Sequence, residues 1–209
     1  MSVLIINGST RENGSTSTAL HEVARGLSDG GVESEQLWIG KDAIRPCVAC
    51  YGCRNRSEGC AFGDDDGVNA AIEKLRQAEG LVIGSPVYFA GINGSLKCFL
   101  DRVFYSGRDA MKLKPAGCVV SARRAGTTSA LEQVQKYPNI AQMLLVGSFY
   151  WPMVHGNNPE EVVQDREGMQ IAWQLGANIA WLVKTIAAGK AAGIEPQTVL
   201  ERERTNFIR

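Results

Sequence analysis

Four of the six cysteines fall within fourteen residues, Cys47, Cys50, Cys53 and Cys60, spaced C-x2-C-x2-C-x6-C. Thiols crowded this tightly can surround one inorganic centre, whereas disulfides between chain neighbours would strain the turns between them. Three cysteines at x2 spacing, with a fourth beyond, suit an iron–sulfur cluster. Zinc is the rival, because all-thiolate structural zinc sites also use C-x2-C pairs, usually two separated ones. Three thiolates in seven residues match the wide face of a cubane better than a single tetrahedral ion. Cys47, Cys50, Cys53 and Cys60 are therefore read as ligands of a [4Fe-4S] cluster, with zinc or free reduced thiols as alternatives. Cys98 and Cys118, on a predicted helix and strand, read as small buried hydrophobes.

A second constellation lies near the start. Gly8 to Thr18 contains six hydroxyl side chains, two glycines and Arg11 between an apolar run and a helical pattern. Hydroxyls and backbone N–H groups at the start of a helix suit a phosphate. The loop is not a Walker A motif, since no lysine follows the second glycine, and it is not G-x-G-x-x-G. Ser9, Arg11, Ser15, Thr16, Ser17 and Thr18 are the expected contacts of a monophosphate; a plain turn with a hydroxyl N-cap is the alternative.

A third segment, Pro86-Val87-Tyr88-Phe89-Ala90-Gly91, sets aromatics and a glycine directly after an apolar run. A planar ring system needs flat apolar contact and close backbone approach, which proline, aromatics and glycine supply. Ordinary core packing of Tyr88 and Phe89 is the competing account. Ser121, Arg123, Arg124 and Gly126 form a comparable loop further on. Its arginines suit an anionic ring or a nicotinamide phosphate, or else are simply solvated. Lys97, Asp101 and Arg102 are expected to form surface ion pairs. His21 and His155 adjoin no nucleophile motif, and no G-x-S-x-G elbow supports a hydrolase.

These loops must be held by elements. Apolar runs at Val3–Asn7, Val32–Ile39, Gly80–Ser85, Ala116–Ser121 and Leu144–Trp151 predict five strands. Helical periods predict helices from Thr16, from the Asp64-Asp65-Asp66 triplet, over Ile92–Phe104, from near Thr127, and over Asp165–Ala188, the last with Ala172, Leu175, Ile179, Leu182 and Ile186 on one stripe. The acidic triplet reads as a helix-start signal rather than a cation site. Residues 40–63 have no helical period and form a long functional loop. Alternating strands and helices predict a doubly wound α/β fold with a five-stranded parallel sheet, order 2-1-3-4-5, in a single domain over residues 1–209. Ligands of such sheets bind beyond the strands' carboxyl ends at the switch point between the first and third strands. The Gly8–Thr18 and Pro86–Gly94 loops belong there.

Composition excludes several classes. Lysine plus arginine equals aspartate plus glutamate at 22 each, which removes the basic excess of a nucleic-acid module. No apolar run approaches the roughly 20 residues of a membrane span. The start, Met1 to Gly8, reads as a buried strand rather than a signal peptide. Reduced or metal-bound cysteines and a cytoplasmic location follow as expectations. Trp173, Trp181 and several alanines lie off the core stripe of the last helix, which predicts a homo-oligomer, dimer or tetramer.

Gly8-Ser-Thr-Arg-x-x-Gly-Ser-Thr resembles the phosphate loop of the flavodoxin-like NAD(P)H-dependent FMN reductases. Gly84-Ser-Pro-Val-Tyr-Phe-x-Gly91, continuing through Leu96-Lys-x-Phe-Leu-Asp-Arg102, resembles their isoalloxazine loop. With the cysteine cluster added, the resemblance is to the iron–sulfur flavoprotein branch, and it covers nearly the whole chain. It implies that Pro86 to Phe89 line a flavin ring and that FMN and a [4Fe-4S] cluster are the cofactors. The function expected is an FMN-dependent oxidoreductase passing electrons between flavin and cluster, with NAD(P)H or ferredoxin as donor. Two alternatives stand beside it: an NAD(P)H-dependent FMN or quinone reductase without a cluster, and a non-catalytic zinc- or phosphate-binding regulator.

Overall fold

Alternation along the central strands explains the layering. In β1 (Ser2–Asn7), Leu4 and Ile6 point into one apolar core while Val3 and Ile5 point into the other. Side chains of a strand alternate between faces, so a strand buried on both sides must be apolar throughout. The same holds in β3 (Gly80–Tyr88), with Leu81 and Ile83 on one face and Val82 on the other. It holds again in β5 (Pro115–Ala122), where Cys118 and Val120 oppose Val119. The computed structural model describes residues 1–56, 59–63 and 65–197, together with positions 203, 205 and 207.

The parallel sheet runs β2-β1-β3-β5-β6, with β2 at Glu33–Trp38 and β6 at Leu144–Leu145. This is the predicted 2-1-3-4-5 order once the short β4 (Gly91–Ile92), which only folds back on β3, is set aside. Helices α1 (Ser15–Asp29), the short α5 (Pro159–Val162) and α6 (Arg166–Ala191) cover one face. Helices α2 (Val68–Gln77), α3 (Gly94–Gly107) and α4 (Thr127–Ile140) cover the other. Among the described residues, no helix is long and apolar enough to cross a membrane.

Four local expectations change. The fifth strand splits. Leu144–Leu145 pairs with Pro115 and Ala116, while β7 (Met153–His155) pairs with Val120 to Ala122. Between them Phe149, Tyr150 and Trp151 stay exposed rather than extended in the sheet. The third strand runs past Pro86 to Tyr88, because Val87 and Tyr88 pair with Ile92 and Gly91. Helix α2 starts at Val68 after Gly67, which has a left-handed φ of 74°, so no aspartate is its N-cap. Asp66 still accepts from the first α2 amide, that of Val68, at 3.4 Å through Oδ1, while its Oδ2 pairs with Arg102; Asp64 lies outside the described residues. In α6 the buried stripe includes Ala172, Leu175 and Ile179 but passes to Val183 rather than Leu182. Gly26 and Gly176 let α1 and α6 touch backbone to backbone, since a Cβ on either would collide with the other helix.

Candidate functional site

The turn after β1 is built by side chains binding its own backbone. Asn7 Nδ2 donates to the Glu12 carbonyl at 3.0 Å, and Asn7 Oδ1 accepts from the Ser9 amide at 3.1 Å. Ser9 Oγ accepts from the Arg11 amide at 3.1 Å, and the Ser9 carbonyl accepts from Trp38 Nε1 at 2.7 Å. Helix α1 then begins after Gly14 with no side chain capping it. Its first amides are left to a ligand or solvent, and the helix dipole favours an anion there. Around this end, Ser9, Thr16 and Ser17 are buried, Ser15 and Thr18 half-buried, and Arg11 exposed. Thr18 Oγ1 turns back to the Gly14 carbonyl at 3.2 Å.

The structure brings the second and third segments to the same edge. Thr16 Oγ1 and Ser121 Oγ are 2.8 Å apart, which ties the β1 and β5 loops together beneath the helix start. Thr10 Oγ1 lies 3.5 Å from Tyr88 Oη. Pro86 and Val87 are half-buried; Tyr88 and Phe89 are exposed, Phe89 fully. Phe89 and Ala90 both have left-handed backbones, with φ of 50° and 60°. That is the geometry of a two-residue hairpin turn, usually occupied by Asn and Gly. Core packing of these aromatics is thereby excluded. Gly126, with φ 92°, sits so close to Ala90 that any side chain would meet it. Arg123 and Arg124 are exposed at the rim.

Asn93 escaped the sequence reading although it organises this edge. It is buried and donates from Nδ2 to the Gly8 carbonyl at 2.9 Å. Its amide donates to Ser85 Oγ at 3.2 Å, and its Oδ1 caps α3 by accepting from the Ser95 amide at 2.9 Å. One asparagine thus joins the phosphate-type loop, the hairpin and a helix. An Asn one residue before a helical period is an N-cap signal that would have found it.

The cysteines gather on the α2/α3 face. Cys47, Cys50, Cys53 and Cys60 all line one small pocket, together with Phe62 and Arg102. Cys60 is buried and the others are half-buried or exposed. Asn69, in the first turn of α2, holds Cys60 by both backbone groups: its Oδ1 accepts from the amide at 2.7 Å and its Nδ2 donates to the carbonyl at 3.1 Å. Tyr51 makes the sharp turn between Cys50 and Cys53, with φ 58°. Among the described residues, no three His, Cys, Asp or Glu side chains converge closely enough for a single metal ion. The donor set is all sulfur and the sulfurs share one pocket, which fits a wider thiolate-bound centre.

Arg102 is the main departure from the sequence reading. Lys97 and Asp101 do form a partly exposed pair at 3.0 Å, but Arg102 is 1% exposed. It falls three residues after Phe99, so the apolar period of α3 itself carries it inward. Its Nε donates to Cys60 Sγ at 3.3 Å and its Nη1 to the Arg45 carbonyl at 3.3 Å and to Asp66. Burial alone would lower its pKa, but the bonds to Asp66 and Cys60 more than offset that and raise it. Of the remaining cysteines, Cys118 is buried, which pushes its thiol pKa up, and Cys98 is half-buried.

A two-faced α/β sandwich with a phosphate-type loop and a ring-type hairpin at its switch point defines a flavodoxin-like protein. A family model described as NADPH-dependent FMN reductase matches residues 1–158, and the chain belongs to that family. It is an FMN oxidoreductase by that membership. An iron-sulfur flavoprotein of Methanocaldococcus jannaschii is 29% identical over 196 residues, covering 89% of this chain and 99% of its relative. RosB, solved with bound 8-demethyl-8-formylriboflavin-5'-phosphate, superposes with a TM-score of 0.68 at 16% identity, covering 100% and 92% of the two chains. A flavodoxin from the domain Archaea gives 0.59 at 14%, covering 88% and 99%. At these identities the two structures speak for the fold.

Proposed function

We propose that this chain is an iron–sulfur flavoprotein that passes electrons between FMN and a [4Fe-4S] cluster. The observation that carries the cluster is the pocket shared by Cys47, Cys50, Cys53 and Cys60, with a buried arginine against one of them. The Methanocaldococcus jannaschii relative supports the same reading by its name. When bound, the flavin supplies one- and two-electron chemistry and the cluster one-electron chemistry.

The residues divide the work. The uncapped amides of α1, with Ser9, Ser15, Thr16, Ser17 and Thr18, hold the FMN phosphate, and Arg11 adds charge from the rim. Pro86, Val87, Tyr88 and Phe89 orient the ring, and Ser121 and Gly126 close its third edge. Arg123 and Arg124 favour an anionic ring or the phosphate of a nicotinamide donor. No protein acid or base is assigned. NAD(P)H or ferredoxin serves as donor, and the thiols suit the reducing cytoplasm. Trp181, 66% exposed on α6, marks the face for homo-oligomer formation.

Anaerobic reconstitution followed by visible spectroscopy and iron and sulfide analysis tests the proposal. Flavin bands with about four irons and four sulfides per chain are expected for this cluster type. Flavin with no iron would instead leave an NAD(P)H-dependent FMN or quinone reductase. That second reading draws on the family model, described as NADPH-dependent FMN reductase.

A further inference from the structure

Arg102 closes an ion pair with Asp66 at the cysteine pocket, and that pair leaves part of its guanidinium unused. Its fork has three nitrogens, and two are accounted for. Nη1 serves Asp66 and the Arg45 carbonyl, and Nε points at Cys60 Sγ. Nη2 is buried with no acceptor among the described residues. A buried donor left unpaired is costly, and native structures rarely keep one without a functional reason. The helix around it gives no packing reason: Leu96, Phe99, Leu100 and Val103 are all buried apolar residues on the same helix. The Phe62 ring, 5.4 Å from the guanidinium carbon, screens the group from water on one side. The pocket wall that Arg102 forms is the wall Cys60 also forms.

We infer that Arg102 is a charge-compensating residue for the thiolate-held centre, its guanidinium bonding a ligand sulfur through Nε and keeping Nη2 as a free donor that the centre would use. This inference rests on the proposed cluster and goes beyond it. A four-iron cluster with four thiolates carries net negative charge, and one-electron reduction adds another. A fixed cation with N–H groups aimed at the sulfurs stabilises the reduced state more than the oxidised one. Hydrogen bonds to sulfur and local charge are the levers that set such potentials. Asp66 tempers the effect by holding Nη1, which also keeps the fork from turning away.

The test uses the full-length, anaerobically reconstituted protein. Redox titration followed by electron paramagnetic resonance compares wild type, Arg102→Lys, and Arg102→Met combined with Asp66→Asn, so that no carboxylate is left facing an apolar wall. Iron, sulfide and melting temperature are measured alongside. The double variant is expected to keep its iron and to lose at least tenfold in the reduction equilibrium, about 59 mV for a one-electron couple. Arg102→Lys, with the charge kept but the planar fork gone, should fall between. An unchanged potential in a fully loaded double variant overturns the inference. Wild type that takes up no iron overturns the cluster itself, a distinct result. Should both variants fail to fold, wild type grown on nitrogen-15-labelled arginine decides. A nitrogen hyperfine coupling in the reduced cluster supports the contact, and its absence refutes it.

Discussion

Asn93 carries three hydrogen bonds that no neighbour can replace: to the Gly8 carbonyl, to Ser85 and to the α3 N-terminus. Asn93→Ala removes the two made by its side chain. The lost cap alone costs about 1 kcal/mol, and the unpaired buried Gly8 carbonyl adds about 1–3 kcal/mol. Urea unfolding should show that loss, and fluorescence titration should show weaker FMN binding, since the β1 loop loses its tie to the hairpin. Tyr137 offers a pH test. Burial, and then its 2.5 Å bond to Asp101, raise its pKa above the usual phenol value, so the folded state holds this proton more tightly. Lys97 is also near, 3.2 Å from the hydroxyl, but does not reverse the direction. The stabilisation is complete below the unfolded pKa of about 10 and is lost as pH rises beyond it. Tyr137→Phe should flatten the fall in stability above about pH 10, the phenol's ordinary value, read by urea unfolding at each pH.

The β3–β4 hairpin is the element with the clearest local conflict. Two left-handed residues, Phe89 and Ala90, occupy a turn that favours Asn-Gly, and Phe89 lies wholly in solvent. An L-residue in that region costs roughly 1–2 kcal/mol. Replacing Phe89-Ala90 by Asn-Gly should therefore raise stability by about 1 kcal/mol. It should also lower FMN retention on gel filtration, because the exposed ring is kept for a ligand surface rather than for folding. Equal FMN retention would show that Phe89 is only a turn residue. Much of the rest of the layout was readable at this scale. The strand–helix alternation and the five apolar runs predicted the sheet and its order. The split of the last strand was not readable, because Leu144 to Trp151 is apolar enough for a strand and only the reach of β5 decides how much of it pairs.

At the scale of the molecule the two candidate cofactor regions depend on different supports. The loops after β1, β3 and β5 hang from the sheet edge, while the cysteines lie against α2 and α3. Gly94 and Arg102 are eight residues apart on α3, about 12 Å by helical rise. The cysteine region can then be dismantled without disturbing the other. Cys53→Ser should abolish the iron absorbance and leave FMN at wild-type stoichiometry, measured by metal analysis and flavin release on the same sample. Loss of both together would mean that the regions are structurally coupled.

The chain's linear order decided the fold class, the loops that meet at the switch point and the four cysteines as a set. Those depend on periodicity and short spacing, which act over a few residues. What only the three-dimensional packing decided were long-range partners: Asn93 with Gly8, 85 residues away, Thr16 with Ser121, and Arg102 with Cys60, 42 residues away. A local pattern showed Asp101 and Arg102 as neighbours in a charged run. Helix α3 turns one toward solvent and the other into the core, and a buried guanidinium acquires partners that no stretch of sequence around it contains.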